Sequence, residues 1–227
     1  MKIAIVGMGI AVGSTLKSLF TKEAVREGDI IHVYEDRAVT GVGLPYQPDD
    51  ERLILNSFSK DISLTLGNPD EYLEFLEKNY PNQFDKFTFT PRVVFGEYAQ
   101  ELYNPYLEKE EVELIAERVE KIIPLEGEQM KYRLESASGA QEYDAVFLAI
   151  GHPPYADYYN LEGHPGYVHE PFPVSNLFDH IDPAKDRVGI GGSSLTALDV
   201  MEYLQENAEW KHPITFYTRH EPFATVK

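Results

Sequence analysis

The sequence of 227 residues contains no cysteine. A disulfide, a thiolate metal ligand and a redox-active dithiol are therefore excluded for these residues. Long apolar runs are also missing, because a stretch such as 145–150 is far shorter than the roughly 20 residues that span a bilayer. The start of the chain has one lysine and four apolar residues before Gly7, which predicts a core strand and not a signal peptide. A cytoplasmic location is expected.

Positive charge is scarce. The chain has 20 Lys and Arg against 38 Asp and Glu, which gives a net charge of −18. A field of this sign repels phosphate backbones, so nucleic acid is not an expected partner. The short apolar runs give no reason to expect a membrane either. The seven histidines lack the H-E-x-x-H spacing and have no cysteine beside them, so no metal site is predicted.

A glycine loop lies near the start of the chain. Residues 2–20, "KIAIVGMGIAVGSTLKSLF", read as a strand, a tight turn and a helix, which is typical of a dinucleotide-binding unit. In G-x-G-x-x-G the third glycine would follow Gly7 and Gly9 at position 12, but Val12 stands there and Gly13 comes one place late. The loop can be a damaged site, a spacing variant or a chance match, and we favour a working variant.

A dinucleotide makes three demands on such a unit. The turn needs glycine where the pyrophosphate approaches, and the helix N-terminus must offer free N–H groups and its positive dipole end. An acid at the tip of the second strand must accept hydrogen bonds from the ribose hydroxyls. Strand 30–34 ends at such an acid. The candidate residues for these tasks are Gly7, Gly9, Ile10, Ala11, Gly13, Glu35 and Asp36.

The same order recurs in residues 187–206, "RVGIGGSSLTALDVMEYLQE". Aligning the two helices puts Gly192, Ser194 and Ala197 at the three glycine positions. The following strand ends in Arg219 and not in an acid, which suits a 2′-phosphate and hence NADP, although a plain surface arginine explains it equally well. The turn that carries Ser193 resembles a nucleophile elbow, the sharp strand-to-helix turn of some hydrolases. The closing glycine of G-x-S-x-G is absent, so a serine that faces phosphate is the better interpretation.

Between the two glycine loops the pattern changes from helices to strands. A helix is expected over 93–107, interrupted near Pro105, and strands over 112–125, 130–136 and 143–151. The middle hairpin is predicted to be antiparallel, and 145–150 to form a fully buried strand. The proline-rich stretch 152–185 has little periodicity and reads as an irregular connector.

Five motifs, in the same order along the chain, resemble those of a known family. They are "GVGLPY" (41–46), "LILNSF" (53–58), "PRVVFGEY" (91–98), "YDAVFLAIGHPP" (143–154) and "VGIGGSSLTALDV" (188–200). The sequence is similar to bacterial FAD/NAD(P)-binding proteins that have two dinucleotide-binding folds and are related to flavin-dependent amine N-hydroxylases.

The resemblance implies an α/β chain: a Rossmann-like three-layer fold with an antiparallel β meander, followed by the start of a second Rossmann-like unit. The implied organisation is an FAD-binding domain over 1–151, the connector over 152–185, and an incomplete NAD(P)-binding unit over 186–227. Proteins of this kind continue well beyond such a unit. The chain is therefore expected to be an N-terminal fragment, or else a form whose second unit is a reduced appendage.

The resemblance also assigns roles to residues. It implies that Gly7 and Gly9 face the FAD pyrophosphate and that Glu35 contacts the adenosine ribose, while Val119 offers its backbone to the adenine. The flavin side would be lined by Gly43, Leu44, Tyr46 and Asn56, and the loop leaving the FAD fold would be closed by Ile150 and Gly151. The nicotinamide cofactor's pyrophosphate would be surrounded by Gly192, Ser193, Ser194, Leu195 and Thr196.

The expected function is that of an FAD-dependent oxidoreductase, or of its N-terminal part, in which NAD(P)H reduces FAD. Without cysteine, a monooxygenase-like or simple reductase reaction on a small-molecule acceptor is expected. Two alternatives stay open: a dinucleotide-binding module without catalysis, and a protein with a single working NAD(P) site. The sequence names no acceptor, no catalytic side chain and no oligomeric state.

Overall fold

The structure is a computed structural model that describes residues 1–36, 41–127, 129–206 and 209–219. The chain divides into two compact units. The first unit comprises Met1–Gln47 and Leu55–Pro153, and the second comprises Pro48–Ile54 and Pro154–Lys227. The second unit is therefore built from two separate stretches of sequence.

Nine strands and four α-helices are found in the described residues. The strands are β1 (Lys2–Val6), β2 (Ile30–Tyr34), β3 (Val112–Ile115), β4 (Lys121–Leu125), β5 (Lys131–Ser136), β6 (Gly139–Tyr143), β7 (Ala145–Leu148), β8 (Gly189–Gly191) and β9 (Thr215–Tyr217). The helices are α1 (Ile10–Thr21), α2 (Glu71–Asn79), α3 (Arg92–Leu107) and α4 (Leu195–Gln205). The predicted interruption near Pro105 is wrong, because α3 continues through this residue to Leu107.

The first unit is organised around a four-stranded parallel sheet with the strand order β3-β2-β1-β7. Alternate side chains of β1 point to opposite faces. Ile3 and Ile5 pack in a cluster with Leu16 of α1, and Ala4 and Val6 pack on the other face in a cluster with residues of the meander. Burial on both faces explains why this strand is an unbroken apolar run.

The second face of this sheet is covered by an antiparallel meander of β4, β5 and β6. Leu134 and Tyr143 are buried there against Val6 and Tyr34. The sequence suggested one strand over 112–125, but β3 belongs to the parallel sheet and β4 to the meander, with a break between them. The predicted class, a Rossmann-like three-layer α/β fold with a β meander, is confirmed.

The predicted full burial of 145–150 is wrong. β7 is an edge strand, and no described strand pairs with its outer side. Phe147, Leu148 and Ile150 are exposed at 39%, 64% and 56%. The apolar run reflects pairing with β1 on one side only, and composition alone cannot distinguish an edge strand from a central one.

The second unit is smaller and has its own core. β8 and β9 pair in parallel, and α4 follows β8. Val200 and Leu204 of α4 pack with Val174 and Leu177 from a 3₁₀ helix at Val174–Asp179, and Leu53 from the earlier stretch completes this cluster.

The short stretch 48–54 is fastened to that 3₁₀ helix by a carboxylate. Both oxygens of Asp49 accept backbone hydrogen bonds, from the N–H of Val174 at 2.9 Å and of Ser175 at 3.1 Å. These N–H groups have no partner within the helix, so the carboxylate of Asp49 acts as the helix cap.

No helix in the described part of the chain is long and apolar enough to cross a membrane.

Gly13 is required by helix packing within the first unit. A Cβ at this position would overlap the ring of Tyr103, which lies on α3 and is fully buried, while the hydroxyl of Tyr103 lies 2.8 Å from Ser14 Oγ. Val12, one residue earlier, is fully buried in the cluster between α1 and the sheet. The third glycine of the fingerprint is thus replaced by a core residue, and Gly13 serves the contact between two helices.

We predict that Gly13→Ala lowers the free energy of unfolding by about 1–3 kcal/mol, because overpacking a filled core outweighs the gain in helix propensity. Urea denaturation would measure the loss. Ser18→Ala, on the exposed side of the same helix, should cause no comparable loss. Gly13→Ala combined with Tyr103→Leu should recover part of the stability, and a fully stable single variant would contradict the packing role.

A buried polar network joins the sheet to the meander. His32 of β2 lies 2.8 Å from the Tyr143 hydroxyl through Nδ1, and Tyr143 lies 2.6 Å from the hydroxyl of Tyr34. His32 Nε2 is 3.2 Å from a carboxylate oxygen of Glu113. Burial, assisted by the nearby charge of Lys2, lowers the pKa of His32 even though Glu113 acts to raise it. Glu113 loses this competition because its side chain is 68% exposed and screened by water.

The lowered pKa of His32 predicts acid sensitivity of the first unit. Because the folded state favours neutral His32, its contribution to stability is fully present above the unfolded-state pKa near 6.5 and is lost as the pH falls from there through the lower folded-state pKa. We expect a slope of at most about 1.4 kcal/mol per pH unit, measured by urea denaturation between neutral and mildly acidic pH. His32→Gln should remove this contribution, whereas His152→Gln, at an exposed position, should retain it. An unchanged slope in His32→Gln would exclude the assignment.

Candidate functional site

The first glycine loop begins where β1 ends. Gly7 has φ +97°, and its N–H donates to the carbonyl of Tyr34 at the end of β2 over 2.8 Å. A Cβ at Gly7 would overlap the carbonyl oxygen of Ala149. Both the backbone conformation and the lack of space therefore demand glycine at this position.

Gly9 is the N-cap of α1. Its backbone is extended, with φ −108° and ψ −168°, and its carbonyl accepts the N–H groups of Val12 at 3.0 Å and Gly13 at 3.2 Å. Among the described residues, the N–H groups of Gly9, Ile10 and Ala11 have no hydrogen-bond acceptor. These orphan donors, together with the dipole of the helix, are the elements of an anion site.

The acid predicted at the tip of β2 is held against this loop. Glu35 is 5% exposed, and its Oε2 accepts the N–H of Met8 at 2.8 Å. Asp36, which follows it, is exposed. Sequence analysis missed Met8, whose buried side chain and bonded N–H fix the turn between the two glycines. Its only sequence signal is a large apolar residue inside a glycine pair.

A second segment crosses the same loop. The N–H of Gly41 donates to the carbonyl of Met8 at 2.9 Å, and a Cβ on Gly9 would lie 3.4 Å from the Cα of Gly43, which has φ +66°. A 3₁₀ helix at Leu44–Tyr46 follows, in which the Tyr46 ring packs 4.6 Å from the ring of Phe95. The predicted flavin-side residues 43–46 therefore begin next to the glycine loop.

The remaining predicted residues of the first unit lie at different distances from the loop. A Cβ on Gly7 would be 3.4 Å from the Cα of Ile150, and Gly151, with φ +69° and open space around it, comes next. Val119 packs against the cluster on the meander side of the sheet. Asn56 is exposed in a loop, and no described contact joins it to Gly7 or Gly9. Cofactor contacts of these residues stay predictions.

The second glycine loop, in the second unit, repeats the backbone geometry of the first. Gly192 has φ +121°, and its N–H donates to the carbonyl of Tyr217 at the end of β9 over 2.9 Å. Ser194 is the N-cap of α4, extended at φ −85° and ψ −175°, and its carbonyl accepts the N–H groups of Ala197 and Leu198 at 2.9 and 3.2 Å. The predicted alignment of the two loops is confirmed.

Donors and open space also coincide at this second loop. In the described part of the chain, the N–H groups of Ser194, Leu195 and Thr196 have no hydrogen-bond acceptor. A Cβ on Gly192 would meet nothing within 4 Å, so glycine is needed here for its positive φ and not for lack of space. Ser193 Oγ lies 3.3 Å from Oγ1 of Thr218.

Comparison with known proteins shows the family to which the chain belongs. The sequence model of a family described as FAD-NAD(P)-binding matches residues 4–153, more than half of the chain. No curated protein sequence matches the chain.

Solved structures share the fold. One is an ornithine N-hydroxylase of Kutzneria sp. 744, solved with reduced FAD, NADP+ and L-ornithine. It is 18% identical to this chain, with a TM-score of 0.63, and the match covers 94% of this chain and 52% of the hydroxylase. A cadaverine monooxygenase of Erwinia amylovora bound to FAD is 17% identical, with a TM-score of 0.65 and coverage of 94% and 50%. An S-allyl-L-cysteine S-oxygenase of Allium sativum is 21% identical, with a TM-score of 0.58, and the match covers 89% of this chain and 48% of that protein. The chain spans about half the length of these proteins.

The residues present fit the two dinucleotides that the family description names. Each loop offers three backbone N–H donors at a helix start and a glycine with positive φ, which is what a pyrophosphate requires. In the first unit, Glu35 adds a fixed carboxylate at the strand tip, the group that accepts ribose hydroxyls.

We predict that Glu35→Ala raises the dissociation constant for FAD by at least about tenfold, because both the ribose acceptor and the anchor of the Met8 N–H are lost. Flavin fluorescence titration of the apoprotein would measure it. Glu110→Ala removes an exposed carboxylate before β3 and should leave the affinity unchanged. Equal affinity of the Glu35→Ala variant and the unmodified protein would refute the assignment.

Proposed function

The chain belongs to the FAD-NAD(P)-binding family, and on that premise we propose that it is an FAD-dependent oxidoreductase, or the N-terminal half of one. In this proposal the first glycine loop would hold FAD and the second would hold NAD(P)H, which would supply the two electrons that reduce the flavin. FAD, when bound, supplies a two-electron acceptor that the side chains of this chain lack.

The proposal is supported most strongly by the charge of the residues that follow the second strand in each unit. The two glycine loops have the same backbone hydrogen bonds but carry opposite charge at the tip of the second strand: Glu35 and Asp36 in the first unit, Thr218 and Arg219 in the second. Two loops for one ligand would have no reason to differ in this way. A flavin nucleotide and a phosphorylated nicotinamide nucleotide do differ, since only the latter carries a 2′-phosphate.

Each residue of the proposed sites has a binding task. The backbone donors at Gly9 and Ser194 hold the two pyrophosphates, and Glu35 holds the ribose of FAD. Arg219 is exposed and pairs with the 2′-phosphate of NADPH, so NADPH is the preferred reductant. No side chain of this chain is assigned to the oxidation of the acceptor.

The reaction with the acceptor is proposed from fold likeness and composition. The similar solved structures are named as an N-hydroxylase, a monooxygenase and an S-oxygenase. These 227 residues contain no cysteine and cannot form a dithiol relay by themselves. We therefore favour oxygen-dependent chemistry on a small molecule, with simple reduction of an acceptor as the alternative.

A binding module without catalysis is the second candidate, because the two loops present backbone donors for dinucleotides while no side chain is assigned to a catalytic step. Such a module would take up FAD but would not pass electrons to it.

Anaerobic titration of the purified, FAD-loaded protein distinguishes the two candidates. We predict that NADPH bleaches the visible flavin absorbance and that NADH does so more slowly, because Arg219 contributes only when a 2′-phosphate is present. Protein that binds FAD but is not bleached by either coenzyme would support the binding module. Protein that takes up no FAD would contradict both candidates.

A further inference from the structure

Aromatic side chains of the first unit form a row that starts in the segment 43–46, which is predicted to line the flavin side. With the distances between ring centroids, the neighbours in this aromatic row are Tyr46 and Phe95 (4.6 Å), Phe95 and Tyr98 (5.7 Å), Tyr98 and Phe75 (5.4 Å), and Phe75 and Tyr80 (6.3 Å). Each spacing is that of a packed aromatic pair. The three middle rings are buried, so the row runs through the interior of the unit to Tyr80, which directly follows α2.

The phenol of Tyr98, in the middle of the aromatic row, is bonded to a carboxylate. Its oxygen accepts the N–H of Leu64 at 3.0 Å, and its hydroxyl donates to Oε2 of Glu71. The Glu71 side chain is only 17% exposed. Its other oxygen accepts a hydrogen bond from Thr65 and lies 3.6 Å from the ammonium group of Lys17. Tyr98 therefore has a base within hydrogen-bond reach of its phenolic proton.

The phenol at the outer end of the row has a base as well. The hydroxyl of Tyr80 donates to Oε2 of Glu97, an exposed residue of α3. Tyr72 provides a contrast within the same cluster. Its ring lies 5.0 Å from that of Tyr98, but its hydroxyl lies 2.6 Å from Oγ1 of Thr90, which is not a base at neutral pH.

A nearby base decides whether a buried tyrosine can lose one electron. A phenol that has lost an electron becomes a far stronger acid and must release its proton. Burial raises the pKa of the Tyr98 phenol and raises that of Tyr72 to about 12, so both keep their protons at neutral pH. Of these two rings, only Tyr98 can pass its proton to a carboxylate as the electron leaves.

We propose that three tyrosines of the aromatic row, with Glu71 and Glu97 as their bases, carry an oxidising equivalent from the flavin side of the first unit to its surface. The tyrosines are Tyr46, Tyr98 and Tyr80. This activity goes beyond the proposed function and rests on it, since the oxidant is an oxygen-derived radical formed where reduced flavin meets oxygen. The path removes such an oxidant before it modifies the binding site.

Each step of the path balances electrons and protons. The radical takes an electron from Tyr46, which is half-buried and loses its proton to water. Tyr98 then gives an electron to Tyr46, which regains a proton from water, while the Tyr98 proton moves to Glu71. Tyr80 next gives an electron to Tyr98, and Glu71 returns its proton. The Tyr80 proton moves to Glu97, and a reductant of the ascorbate type finally restores Tyr80 with one electron and that proton.

Because the chain has no cysteine, an oxidant can be attached at one chosen point. Leu44 is 41% exposed and lies two positions before Tyr46, so Leu44→Cys provides one thiol for a ruthenium polypyridyl photo-oxidant. Light and a cobalt(III) acceptor leave a ruthenium(III) centre, which takes one electron from the protein. A nitroso spin trap then marks the tyrosine that holds the radical, and peptide mass spectrometry locates the mark. FAD is not needed for this measurement.

In the labelled protein, Tyr80 should carry the mark. Tyr98→Phe should retain the mark at Tyr46 and lose it at Tyr80, because the middle tyrosine is removed. Tyr72→Phe is the matched control: it removes a buried hydroxyl beside Tyr98 and should leave Tyr80 marked. Tyr158, which is 85% exposed, reports any oxidant that escapes into solvent and should stay unmarked.

Glu71→Gln examines the proton separately from the packing of the rings. The amide oxygen still accepts the hydrogen bond of Tyr98 but does not take up its proton. The mark at Tyr80 should therefore be lost although every ring is present. Circular dichroism of each variant establishes that the fold is intact.

Several outcomes would overturn the inference and leave the proposed function standing. They are a labelled protein in which Tyr80 is never marked, a mark at Tyr80 that persists in Tyr98→Phe or Glu71→Gln, and an equal loss in Tyr72→Phe. Marking of Tyr158 as strong as that of Tyr80 would show that the oxidant travels through solvent, which also refutes the path. The proposed function fails separately, if the unmodified protein takes up no FAD, and the inference then fails with it because its oxidant has no source.

Discussion

The hydrogen bond from Gly7 N–H to the carbonyl of Tyr34 ties the end of β1 to the end of β2. Gly7 adopts a positive φ here, in a space that has no room for a Cβ, so only glycine fits this turn. Once this turn is fixed, the start of α1 and the carboxylate of Glu35 lie on the same side of the sheet edge, joined through Met8. The equivalent bond from Gly192 fixes the second loop. The geometry of both candidate sites depends on this single constraint.

A strongly acidic chain that binds two anionic cofactors needs a source of positive potential that does not depend on net charge. Neither glycine loop, over 7–13 or 191–197, contains a lysine or arginine. The donors are backbone N–H groups at helix starts, whose partial charges are fixed by the fold. The overall charge of −18 acts over long distances and is screened by salt, whereas these donors act at contact. Acidity and anion binding are therefore compatible.

Local patterns predicted much of this molecule, because glycine turns, helix starts and strand tips are encoded by neighbouring residues. Gly7, Gly9 and Glu35, and the alignment of Gly192 with Gly7, follow from the sequence. The reason for Gly13 does not, because Tyr103 lies 90 positions later and only tertiary packing brings its ring to α1. The exposure of β7 and the division of 112–125 between two sheets depend likewise on the strand order, which hydrophobicity does not specify.

The short stretch 48–54 has a consequence for any attempt to divide the protein. Because Asp49 and Leu53 belong to the core and helix cap of the second unit, the chain passes between the units at three points and not at one. A cut near residue 153 would leave Leu53 in the first fragment without its apolar neighbours and would remove a buried side chain from the second. The second unit is therefore expected to need the stretch 48–54 to complete its own interior.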